Sequence, residues 1–358
     1  MKRPLLVYLV LAFGLSWAAA LPLWLSDGLG TPSKVQALAA LMMLTPTIGV
    51  LGVWIAARTP SRRWAKETGL TLGEHRGRTL RLVLAAWLGV PLLTLLAMGM
   101  SAAVGLVSLD LGGFSLLAEV LRARGVQPPD EMTSVAVMQL VLAALLGPVP
   151  ILIPALGEEW GWRGWLLPRL TAANGAVMGL VYSGLIWGLW HAPITLLGYN
   201  YPRLGSWAAL AFIGFCTVGG VVIGWLRLRS GSVWPAVVAH ASLNAVAGPV
   251  LLLGDAAHPP NEIFAGITGV AGWVLLALVG AALLRFLPLR ERAPAVRPEP
   301  AAAEDAAEDE AGDASGDASG DEAGDAAGDE AGDAAGGEAG DAQSESAPSG
   351  SGRSGDAG

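Results

Sequence analysis

The stretch from Ser134 to Arg169, SVAVMQLVLAALLGPVPILIPALGEEWGWRGWLLPR, decides how this chain folds. Residues 134–157 carry no charge, and a helix needs only ~20 apolar residues to cross a bilayer. Pro148, Pro150 and Pro154 rule out one straight helix, because each proline removes a backbone donor and crowds the preceding turn. The apolar run then meets Glu158, Glu159 and Arg163. A charge at bilayer depth costs ~2.5–3.5 kcal/mol on insertion scales, so such residues mark a functional site by default.

The rest of the chain has the same character. Hydrophobic residues make up 53% of the 358, and 14 Trp accompany 4 Tyr. That composition describes a polytopic membrane protein. Seven further apolar segments are expected at about 4–26, 35–57, 80–108, 175–198, 206–226, 232–253 and 263–284. With 134–169 they make about eight transmembrane helices, an all-α bundle. Met1-Lys2-Arg3 followed by Pro4 to Leu25 is longer than a signal-peptide core and reads as a retained first helix. Residues 112–125 place Phe114, Leu116, Leu117, Val120 and Leu121 at roughly helical spacing, suiting an interfacial helix or a plain loop helix.

The formal charge of −8 averages two unlike pieces. Residues 1–298 hold 21 Lys/Arg against 12 Asp/Glu, a net of +9, while residues 299–358 hold one Arg against 18 acids, a net of −17. If the N-terminus is cytoplasmic and every segment crosses once, 17 positive charges fall inside, Arg163 among them. Only Lys34, Arg122, Arg124 and Arg203 fall outside. The expectation is a multi-pass protein of the cell (inner) membrane with both termini cytoplasmic. The Ala/Gly/Asp/Glu repeats from Glu299 lack branched and aromatic residues and read as a disordered acidic tail. The single cysteine, Cys216, excludes an intrachain disulfide and a thiolate metal cluster. Four parts follow: N-terminal helices with a basic loop (1–129), a core (130–255), a last helix with a basic segment (256–298) and the tail (299–358).

The chemistry rests on three motifs. On a helix, Glu159 and Arg163 are four apart and share a face, whereas Glu158 is turned by ~100°. Glu159 thus suits an ion pair, and Glu158 is left as a base. The intercalated Trp and Gly residues equally suit an aromatic belt closing a helix at the membrane surface. His191 lies in the apolar Ile186 to Pro193. His240 and Asn244 share a face at i,i+4 and suit either substrate contact or an interhelical polar pair. Depth raises a difficulty. Glu158 is ~16 Å in if its helix ends near Arg169, whereas His191 is ~24 Å in counted from Gly175.

Glu-Glu-x-x-x-Arg, then an aromatic-x-x-x-His, then His-x-x-x-Asn, resembles the motifs of the CPBP intramembrane proteases. These are CAAX-prenyl-protease and bacteriocin-processing enzymes, also called the ABI or type II CAAX protease family. The resemblance covers residues 130–255, with Trp187 standing where the family usually has Phe. It implies that Glu158 and His191 activate a water and that His240 and Asn244 stabilise an oxyanion. Glu159 and Arg163 would organise the site. The implied partners are the bilayer and a membrane-associated peptide or protein, lipidated or not, with no nucleic acid. No cofactor is certain. Glu158, His191 and His240 have the make-up of a zinc site with an open position, while the lack of a His-Glu-x-x-His motif favours a metal-independent glutamate mechanism. The competing reading is a non-catalytic membrane protein, a transporter or an immunity scaffold, using the same residues as an interhelical network.

Overall fold

The computed structural model describes residues 2–26 and 28–289; the acidic tail expected from residue 299 and the basic residues beyond Leu289 lie outside the described residues. Those described are helical, with no strand beyond one isolated bridge between Leu109 and Gly254. The helices, in chain order, are α1 (Lys2–Trp24), α2 (Pro32–Ala57), α3 (Ser61–Glu67), α4 (Arg76–Ala103), α5 (Ser115–Ala123), α6 (Met132–Leu145) and α7 (Pro148–Glu159), then a π-helical stretch, Trp160–Leu166. After it come α8 (Leu167–Trp190), α9 (Ala192–Thr195), α10 (Ala208–Ser230), α11 (Trp234–Leu251) and α12 (Val270–Phe286).

The expected apolar segments all fall on helical structure, but 134–169 is divided among α6, α7, the π-helical stretch and the start of α8, and 175–198 between α8 and α9. Five helices are long and apolar enough to cross a membrane: Arg3–Trp24, Pro32–Ala57, Arg76–Ala103, Met132–Asn174 and Gly205–Ser230. Ala176–Trp190 and Val270–Phe286 are apolar but shorter. The protein is an all-α polytopic membrane bundle. Leu80, Leu84, Leu88 and Leu92 form an exposed stripe along α4, which lipid accepts and water would not.

The prolines act where the sequence placed them. α6 ends at Leu145 and α7 restarts at Pro148, a first-turn position where the missing N–H costs no bond. Pro46 within α2 cannot donate to the carbonyl of Met42, and the hydroxyl of Thr45 donates to that oxygen instead at 2.9 Å. Gly175, at φ 78° and ψ 167°, breaks α8 into two arms, a conformation that glycine adopts without a Cβ penalty.

The helices expected in the N-terminal part pack directly on the core. α2 lies against α7, and α4 against α11. At one end of the bundle, the segment after α3 is tied to the α10–α11 turn. Val233 N–H donates to Gly69 O at 2.8 Å, and Trp234 Nε1 to Leu70 O at 2.9 Å. The basic stretch 58–81 and Arg227 therefore share an end. At the other end, Asp110 N–H donates to Leu253 O, and Asp255 N–H to Ser108 O. There the Ser115 hydroxyl, with the amides of Gly113 and Ser115, holds the carboxyl of Asp110 down to about 2. α5 is a packed loop helix, with Leu117 and Ala118 buried beside Phe114, Met132 and Ala136.

Candidate active site

The bend at Gly175 removes the depth difficulty. The helix bearing Glu158 runs on past Arg169 to Asn174. Glu158 is then 17 residues before the bend and His191 16 after it, so both lie ~25 Å along antiparallel arms. His191 caps the end of α8 instead of lying within a longer helix.

Glycines allow the close approach. A Cβ on Gly184 would lie 2.6 Å from Thr217 Cα, and one on Gly220 3.1 Å from Gly184 Cα and 3.3 Å from Arg163 Nη2. α8 and α10 thus touch backbone to backbone, as small residues permit in membrane bundles. On the other flank, a Cβ on Gly157 would meet Met43 O at 2.6 Å. The hydroxyl of Thr47 donates to the Gly157 carbonyl at 2.9 Å, fixing the residue before Glu158. The π-helical stretch follows at once, a rare local widening that clusters at functional sites.

The two carboxylates have separate partners. Glu159 is fully buried, and its Oε1 accepts from Arg163 Nη1 at 2.8 Å and from His240 Nδ1 at 2.9 Å. Glu158, 1% exposed, accepts from Trp187 Nε1 through Oε2 at 2.6 Å. The Arg163 guanidinium lies over the Trp187 ring at 4.1 Å, an attractive cation–π geometry. His191 Nδ1 is 2.9 Å from the carbonyl of Trp187. A carbonyl only accepts, so Nδ1 carries the hydrogen and Nε2 of the neutral ring holds the lone pair.

Among the described residues, Glu159 Oε2, Arg163 Nε and Nη2, Tyr8 Oη, Ser183 Oγ and Ser242 Oγ are buried without a hydrogen bond. Glu158 Oε1, His191 Nε2 and His240 Nε2 also make no hydrogen bond among the described residues. They are the site's open atoms. Asn244 lies one turn from His240 on α11, exposed and without a hydrogen bond among the described residues.

Of the residues weighed for zinc, Glu158, His191 and His240 each have one side-chain atom held by protein and one without a hydrogen bond among the described residues. Among the described residues no three His, Cys, Asp or Glu side chains are grouped to hold a metal ion. His240 Nδ1 and Glu158 Oε2 are each engaged by protein. Sequence reasoning noted Trp187 only as standing where the related motif usually has Phe and missed its bond to Glu158. The indole N–H was the available signal, since a buried one seeks an acceptor. It also missed Thr47 and Tyr8, which carry no motif.

The fold and site together define a polytopic membrane protein with an ionisable cluster enclosed in its bundle. Residues 133–246, from α6 through His240 and Asn244, match the family model for the type II CAAX prenyl endopeptidase Rce1-like proteins. Over that stretch the chain is similar to this family of CPBP-type proteases. It is also similar to "CAAX prenyl protease 2" of Methanococcus maripaludis, 27% identical over 99 residues, or 26% of this chain and 36% of the relative. The chain thus spans about a third of the curated relative it matches.

Proposed function

We propose that this chain is an intramembrane endopeptidase that hydrolyses a peptide bond of a membrane-associated substrate. The observation that carries the reading is the division of labour between the carboxylates: Glu159 is committed to Arg163 and His240, while Glu158 keeps one oxygen open. In this reading Glu158 Oε1 takes a proton from a water that also donates to His191 Nε2. The water oxygen adds to the peptide carbonyl carbon, and the carbonyl π electrons move to its oxygen. His240, as an imidazolium whose Nδ1–H is held by Glu159, presents Nε2–H to that oxyanion, and the exposed Asn244 amide adds a second donor. Collapse breaks the C–N bond, and the leaving amine takes the proton from Glu158. Donors fixed in advance in a dry site supply several kcal/mol to such an intermediate.

Residues 130–255 form the catalytic core in this proposal. The basic end faces the cytoplasm of a cell membrane, with both termini on that side. The substrate is a peptide near the membrane surface, cut close to a C-terminus or after a leader. The test is cleavage of a membrane-anchored peptide library in nanodiscs by wild type, Glu158→Gln and His240→Ala, each with and without a chelator. The expected result is cleavage by wild type alone, unchanged by chelator. Cleavage that survives in both variants sinks this site, and loss on chelation overturns the metal-free mechanism.

A further inference from the structure

We propose that Trp187 is a positioning residue, whose indole N–H orients the Glu158 carboxylate and leaves Oε1 as its single reactive oxygen. This rests on the peptidase reading above. The terminal torsion of a glutamate is soft and broad, so an unclamped carboxylate would present either oxygen over a range of angles. Trp187 Nε1 clamps Oε2 at 2.6 Å. No other described residue hydrogen-bonds that carboxylate. The clamp is itself held rigid. Trp187 is 2% exposed, Arg163 covers its face at 4.1 Å, and His191 and His240 meet it edge-on at centroid distances of 5.7 and 5.4 Å.

Two functions of this residue are separable. Its backbone carbonyl holds His191 Nδ1, and Trp187→Phe leaves that group in place. Its side-chain N–H does not survive Trp187→Phe, although Phe keeps an aromatic ring for Arg163 and the histidines. A misplacement of ~1 Å in a reacting group costs on the order of a hundredfold in rate.

The experiment has two readouts on wild type, Trp187→Phe and Glu158→Gln in nanodiscs. The first is ultraviolet resonance Raman. The indole hydrogen-bonding signal of Trp187, isolated as wild type minus Trp187→Phe, is expected to shift when Glu158 becomes Gln; no shift overturns the clamp. The second is steady-state cleavage of a peptide from the library above. Trp187→Phe is expected to lower kcat by about ten- to a hundredfold, ~1.4–2.7 kcal/mol, with KM within about twofold. Unchanged kcat beside an inactive Glu158→Gln overturns the positioning role and leaves the site standing. Activity retained in Glu158→Gln overturns the peptidase assignment of the site, whatever Trp187→Phe does.

Discussion

Glu158 and Glu159 are neighbours in the chain, and one helical step sends them to different duties. Glu159, Arg163 and His240 form a buried cluster in which each charge depends on the others. Both members of the Glu159–Arg163 pair are sealed, at 0% and 1% side-chain exposure, so water does not screen the loss of either one. Removing one partner of a buried pair strands the other charge and costs ~3–5 kcal/mol. Arg163→Met is therefore expected to lower unfolding stability by about that amount, measured by heat or denaturant in nanodiscs. Glu158→Gln keeps an acceptor for Trp187 and should unfold within about 1 kcal/mol of wild type, since a neutral hydrogen bond replaces a charged one. Equal stability of Arg163→Met and wild type would refute the cluster as a structural anchor. The contrast separates a residue that holds the site from one placed to act in it.

At the scale of elements, the site exists because α8 lies unusually close to α10. Gly184 touches Thr217 and Cys216, and Gly188 approaches Ile213 Cα to 2.5 Å of its would-be Cβ. These neighbours are mostly backbone atoms, which cannot rotate away as side chains do. Gly184→Ala must then push the helices apart, an overpacking cost of ~1–3 kcal/mol. It also moves Trp187, one turn further along α8, relative to Glu158. The expected outcome is a lower unfolding temperature together with a fall in cleavage rate. Gly89 on α4 is the control, because a Cβ there meets nothing within 4 Å. Gly89→Ala should leave cleavage intact and stabilise the helix by up to ~1 kcal/mol through propensity alone. If the two substitutions behave alike, close helix packing is not what sets the site.

For the whole molecule, what was legible in the sequence follows from which physical signals are local. Apolar length reveals membrane helices, so the all-α membrane bundle was readable, though five of its helices are long and apolar enough to cross a bilayer, and the prolines at 148, 150 and 154 announced the break in 134–169. Helix ends were less so, because propensity does not tell a helix stopping at Arg169 from one running on to Asn174. That error alone created the apparent mismatch in depth between Glu158 and His191. The Glu159–Arg163 pair was readable from i,i+4 spacing, but the bond from Trp187 to Glu158 joins residues 29 apart, which no periodicity encodes. Charge asymmetry is likewise a property of the entire chain, and the tertiary contacts give it a firmer test than counting. The stretch 58–81 and the α10–α11 turn share one end of the bundle, while segments 104–131 and 252–269 meet at the other. If the basic end is cytoplasmic, single cysteines at Glu119 and Pro259 should react with a membrane-impermeant maleimide on intact cells. Cysteines at Arg62 and Arg76 should react only after lysis. The Cys216→Ala background removes the single native thiol, which is buried in any case. A full reversal of labelling would invert the proposed orientation and keep the fold. Mixed labelling within one end would break the shared-end arrangement, and with it the placement of Glu158 and His191 at one depth.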